Sequence, residues 1–119
     1  VKGRWGDWCS TFIWLKKDKM FQRVHLDDHL GFSFYNVTPV EVIEGYKPEN
    51  NPDCISGIFR GWLNVPAVLI GQFKYKNGKV LACTYNVIKD YQNDPIATIM
   101  LNDMIKYVCS DEFLPEFGR

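Results

Sequence analysis

Apolar and polar positions are patterned most legibly in the second half of the chain. Pro66-Ala-Val-Leu-Ile-Gly71 leads into Gln72-Phe-Lys-Tyr-Lys76, and Lys79-Val-Leu-Ala-Cys-Thr-Tyr85 follows; both runs are rich in strand formers. Asn77-Gly78 stands between them. That pair predicts a hairpin, because both central residues of a type I′ turn need positive φ. Asn86 to Asn93 reads as a loop, after which Asp94 is a suitable N-cap and Pro95 suits the first helical position. Ile96, Ile99, Met100, Met104, Ile105 and Val108 recur at three- and four-residue steps. They predict one apolar stripe on a helix ending near Cys109, with Asn102, Asp103 and Lys106 off the stripe.

The first half is less regular. Trp8 to Leu15 reads as a strand or extended segment, and Lys16 to Lys19 as a turn. Phe21 to Phe34 fits neither helical nor strand period. Thr38-Pro39 starts an extended stretch, since the residue before proline is driven away from helix, and Val40 to Glu44 alternates like a half-buried strand. Residues 45–57, with Gly, two Pro and several Asn and Asp, predict a loop; Ile58 to Leu63 resumes an apolar run. The expected fold class is α/β, a small layered sheet with a C-terminal β-hairpin followed by an amphipathic helix. By length the chain is a single domain or domain fragment. Residues 1–19 read as an N-terminal extension or strand, 20–110 as the core and 111–119 as a frayed tail.

Composition narrows the function classes. Apolar residues make up 46% and aromatics 15% of 119 residues, so a packed core is expected. The 14 basic and 14 acidic residues cancel, which leaves no long-range pull toward nucleic acid. No apolar run approaches a membrane span. The chain opens without Met or signal peptide and reads as a piece of something longer. Cys9, Cys54, Cys83 and Cys109 have no Cys-x-x-Cys spacing, so a zinc ribbon or thioredoxin-type site is unsupported. A Cys9–Cys54 disulfide depends on the compartment.

Three groups of residues are candidates for chemistry. His25-Leu-Asp-Asp-His29 would place two imidazoles on one helical face with Asp28 nearby, a metal-site pattern. Leu26 stands where a zinc protease needs Glu, and no third His follows, so surface or capping roles compete with the metal reading. Trp5 and Trp8, flanked by Gly, Arg and Asp, form an exposed pair suited to stacking on a sugar ring or on a neighbouring domain. Asn36-Val37-Thr38 matches a glycosylation acceptor, with Pro39 directly after it. No Gly-x-Ser-x-Gly elbow, glycine-flanked cysteine or phosphate loop is present. No catalytic residue and no cofactor are assigned.

The run from Val65 to Tyr85, followed by a loop and by Asp94-Pro-Ile-Ala-Thr-Ile-Met-Leu-Asn-Asp-Met-Ile-Lys-Tyr-Val, resembles the last third of a glutamine-amidotransferase-like, flavodoxin-type domain. Such domains occur as non-catalytic accessory modules in bacterial glycoside hydrolases, including family 2 β-galactosidase-like enzymes. The resemblance extends from Met20 to Ser110. It lacks the nucleophilic cysteine and the His-x-Glu pair of true amidotransferases. It implies an accessory or scaffold role beside neighbouring domains of a carbohydrate-active parent, in a periplasmic or secreted setting. A stand-alone carbohydrate- or protein-binding module using Trp5 and Trp8 is the alternative, and a metal-dependent enzyme using His25 and His29 the third reading.

Overall fold

The structure, a computed structural model, describes residues 11–16, 19–23, 32–45, 48, 51–60 and 65–118. Four strands form one sheet: β1 (Thr11–Leu15), β2 (Cys54–Arg60), β3 (Val65–Tyr75) and β4 (Gly78–Cys83). Their order is β1-β2-β3-β4, and each neighbouring pair is antiparallel. A 3-10 helix, Phe32–Val37, and one α-helix, α1 (Pro95–Val108), complete the regular elements. The described residues thus form a small α/β-type domain, an antiparallel sheet with one long helix.

β3 organises the rest. β2 registers with β3 from Val65 to Gly71, and β4 with β3 from Ile70 to Tyr75. Each leaves half of β3 open, and other segments fill both gaps. Beside the first half, Ile43 donates its N–H to Val68 O at 2.8 Å. Beside the second, Lys74 donates to Phe117 O at 2.6 Å. Buried backbone donors and acceptors need partners, so both short bridges complete the central strand.

Several expectations shift here. The two-residue hairpin loop is Lys76-Asn77, one residue earlier than Asn77-Gly78, because Gly78 already pairs with Tyr75. Lys76 takes the positive φ of the turn, at 51°. This register sets Phe73 against Val80 and Ile70 against Cys83. β2 starts inside the expected 45–57 loop. Asn51 Oδ1 accepts from Asp53 N–H at 3.0 Å, an Asx turn that launches the strand at Cys54. Val40 to Glu44 forms isolated bridge positions at Glu41 and Ile43 instead of a strand, Ile43 pairing with Val68 of β3.

The tail expected to fray is packed instead through Gly118. Phe113 is buried, its ring meets Tyr107 edge-on with centroids 5.4 Å apart, and Lys79 Nζ donates to its carbonyl. The helix keeps its expected bounds. Asp94 caps it by accepting from Ala97 N–H at 3.0 Å, and Cys109 is its exposed C-cap. Its buried face carries Ala97, Met100, Asp103, Met104 and Tyr107, so Asp103 lies on the core side and Ile105 and Val108 do not.

The core gathers Phe21, Phe34, Val37, Ile55, Leu69, Ile70, Val87 and Met100. Burying such side chains contributes about 1.5–3 kcal/mol each against exposure. The 3-10 helix sits on this core with a period of three. Phe34 and Val37 point inward together, while Tyr35 and Asn36 face solvent.

Candidate functional site

Between the edge strand β4 and α1 lies an apolar groove of about 320 Å³. Alternation along β4 puts Leu81 and Cys83 on one face, and both line the groove. Tyr85, Val87 and Ile88 extend that wall, and Leu101, Met104, Ile105 and Val108 of α1 form the other. Residues four apart share a helix face, which is why Leu101, Ile105 and Val108 present one row. Ile88, Ile105 and Val108 are 78%, 55% and 41% exposed, so the lip is aliphatic and open to solvent. Among the described residues, β4 pairs only with β3, leaving its outer edge open beside the groove.

None of the residues lining the groove carries a charged side chain. Burial pushes the Cys83 thiol up to about 11, and the backbone N–H of Tyr85 offsets only part of that. Burial also raises Tyr85 far above the ordinary phenol range, against a smaller lowering by Ser56. A protonated thiol and a neutral phenol are weak nucleophiles. The surface is suited to taking up apolar groups.

The remaining polar clusters hold the fold together. Asp53, 1% exposed, accepts from Gln72 Nε2 at 2.8 Å and from Glu116 N–H at 2.7 Å, with Phe117 N–H as a further donor. Tyr107 Oη donates to Gln72 Oε1 at 2.8 Å, so helix, sheet and tail share one network. Ser56 Oγ donates to Trp14 O at 2.7 Å and lies 2.8 Å from Tyr85 Oη. Asp103, 5% exposed, meets Arg23 through Nε at 2.7 Å and Nη2 at 2.6 Å.

Trp5, Trp8, His25 and His29 lie outside the described residues, as do Cys9 and Asp28. Among the described residues no three His, Cys, Asp or Glu side chains gather as a metal site would require. No helix among them is long and apolar enough to cross a membrane. Cys54 is a free, buried thiol raised to about 11 by desolvation, despite the opposing Lys16 charge. Asn36, the first residue of the glycosylation pattern, donates from Nδ2 to Asp94 Oδ2 at 3.0 Å. The groove itself went unread in the sequence. Its signal was the surplus width of the α1 apolar stripe, since Ile105 and Val108 exceed what one core contact covers.

No protein-family model, curated protein or solved structure matches this chain.

Proposed function

We propose that the chain is a non-catalytic accessory domain of a longer carbohydrate-active protein, with β-galactosidase-like glycoside hydrolases as the parent class. In this reading its β4–α1 groove seats an extended apolar segment of a neighbouring domain of that parent. The groove carries the proposal. A strand laid along β4 satisfies the open backbone edge and inserts alternate side chains between Leu81 and Ile105, so one occupant answers both features. Exposed apolar surface of this kind marks interaction sites. The protonated Cys83 and neutral Tyr85 support a packing role over a catalytic one.

The test is hydrogen exchange on the isolated chain and on the same chain within its longer parent. The proposal expects the β4 amides that point away from β3 to be protected in the parent and exchanging in the isolated domain, the others being held by β3 in both. Equal exchange in both would remove it. Absence of a glycosidase domain in the parent would remove the carbohydrate-active assignment while leaving the docking surface standing.

A further inference from the structure

A second recess shares no lining residue with the groove. The 3-10 helix and the loop before α1 enclose an open cleft of about 600 Å³. Tyr35, 79% exposed, and Val40, 74% exposed, supply its apolar surface. Asn36, Asn86, Lys89, Asp90 and Asn93 supply the polar groups. An aromatic ring this exposed does nothing for the core, since Phe34 and Val37 already fill the inward side of the same helix.

The walls are fixed before any ligand arrives. Asn36 Nδ2 donates to Asp94 Oδ2 at 3.0 Å, tying the 3-10 helix to the α1 cap. Asn86 Nδ2 donates to Thr38 O at 3.1 Å, and Asn86 N–H to Val37 O at 3.1 Å. Asp94 N–H bonds Asp90 O at 2.9 Å, which closes the loop onto itself. These bonds use the amide donors of Asn36 and Asn86 and set their Oδ1 acceptors in place. Among the described residues, the side chains of Lys89 and Asn93 hold no hydrogen bond, so donors remain beside those acceptors. An amide offers a donor and an acceptor in one plane, matching hydroxyls that both give and take hydrogen bonds.

We infer that this cleft binds a neutral saccharide. Its pyranose C–H face would lie on the Tyr35 ring, with its hydroxyls shared among Asn36, Asn86, Lys89 and Asn93. Charge selects the class. Lys89 contributes one positive charge against the carboxylates of Asp90 and Asp94, a net of −1 at the cleft, which disfavours phosphate and sugar acids. The inference goes beyond the accessory-domain reading by giving the chain a sugar contact of its own, and it stands on the cleft alone.

Amide chemical-shift titration of the full chain with lactose, maltotetraose and xylotetraose, and with inorganic phosphate as control, tests it. At least one of the three sugars should produce saturable shifts confined to residues 35–40 and 86–94. Tyr35→Ala should weaken that binding at least about tenfold, whereas Tyr35→Phe, which keeps the ring, should retain most of it. Both variants should keep the parent's melting temperature, because Tyr35 is exposed. Silence with all three sugars, binding untouched by Tyr35→Ala, or phosphate bound as well as sugar would each overturn the inference. Ile105→Asp should leave sugar binding intact; its loss in that variant would also count against the cleft as the site. Sugar binding without groove protection in the parent would leave this inference standing and remove the docking proposal.

Discussion

Gln72 on β3 donates its side-chain amide to the carboxylate of Asp53 just before β2, and both residues are buried. Through the second carboxylate oxygen the same aspartate holds the backbone of Glu116 and Phe117. One side chain therefore fastens the C-terminal tail to the sheet. Asp53→Ala would leave Gln72 Nε2 and two backbone N–H groups without their acceptor. A loss of about 3–5 kcal/mol is expected, on the scale of breaking a buried charge-assisted network. Urea unfolding measures it, with faster amide exchange at Lys74 as the local sign, since that N–H depends on Phe117 O.

Gly57 faces Trp14 across the β1–β2 pair. A Cβ there would come within 2.5 Å of the indole and 2.8 Å of Ala67 O. Gly57→Ala should destabilise the domain by about 1–3 kcal/mol through overpacking. Urea unfolding followed by circular dichroism measures the loss; an unchanged midpoint would contradict the packing described for β1.

Arg23 and Asp103 make an unequal ion pair, the guanidinium largely in solvent and the carboxylate buried, with Asp103 Oδ2 accepting no hydrogen bond among the described residues. Removing Arg23 alone leaves that carboxylate poorly compensated. Arg23→Ala should cost about 1–3 kcal/mol, and adding Asp103→Leu should recover most of it. A double-mutant cycle of unfolding free energies decides the matter. A double variant as unstable as the sum of the singles would show no coupling between the two side chains and would contradict the pair as described.

Cys54 and Cys83 carry a pH dependence with a definite sign. Burial raises both folded-state thiols from 9.0 to about 11. Their contribution is fully present below pH 9 and is lost as pH rises toward 11, because the unfolded chain ionises its thiols first. Thermal unfolding from pH 8 to pH 11 should show a falling midpoint, reduced in the Cys54→Ala, Cys83→Ala double variant relative to its own value at pH 8. Disulfide-exchange reagents at pH 8 should modify exposed Cys109 well before Cys54 or Cys83.

The parts of this fold readable from the chain are those whose cause is local. Asp94-Pro95 announces the start of α1 because cap and first-turn proline act within four residues. Two runs of strand formers announce β3 and β4. Their turn was misplaced by one residue because register answers to cross-strand partners such as Gln72 with Leu81, which no local motif encodes. Asp103 looked like a solvated residue until Arg23, 80 residues away, met it. The tail looked free because its anchor, Asp53, lies in what reads as loop. The groove and the Tyr35 cleft are both made by surfaces distant in sequence, β4 with α1 and the 3-10 helix with the loop before α1. Composition and spacing have no handle on such juxtapositions.

The docking role also predicts surface variants that spare the fold. Ile105→Asp and Val108→Asp alter half-exposed positions on the groove lip, so each should change stability by less than about 1 kcal/mol.

The measurement that bears most directly on the accessory-domain account is amide exchange across β4 in the longer parent, with and without Ile105→Asp. The account predicts protection of the β4 amides that point away from β3 in the wild-type parent and its loss in the variant, with exchange in the β2–β3 core unchanged. Exchange across β4 that is the same in isolated chain, parent and variant would contradict it.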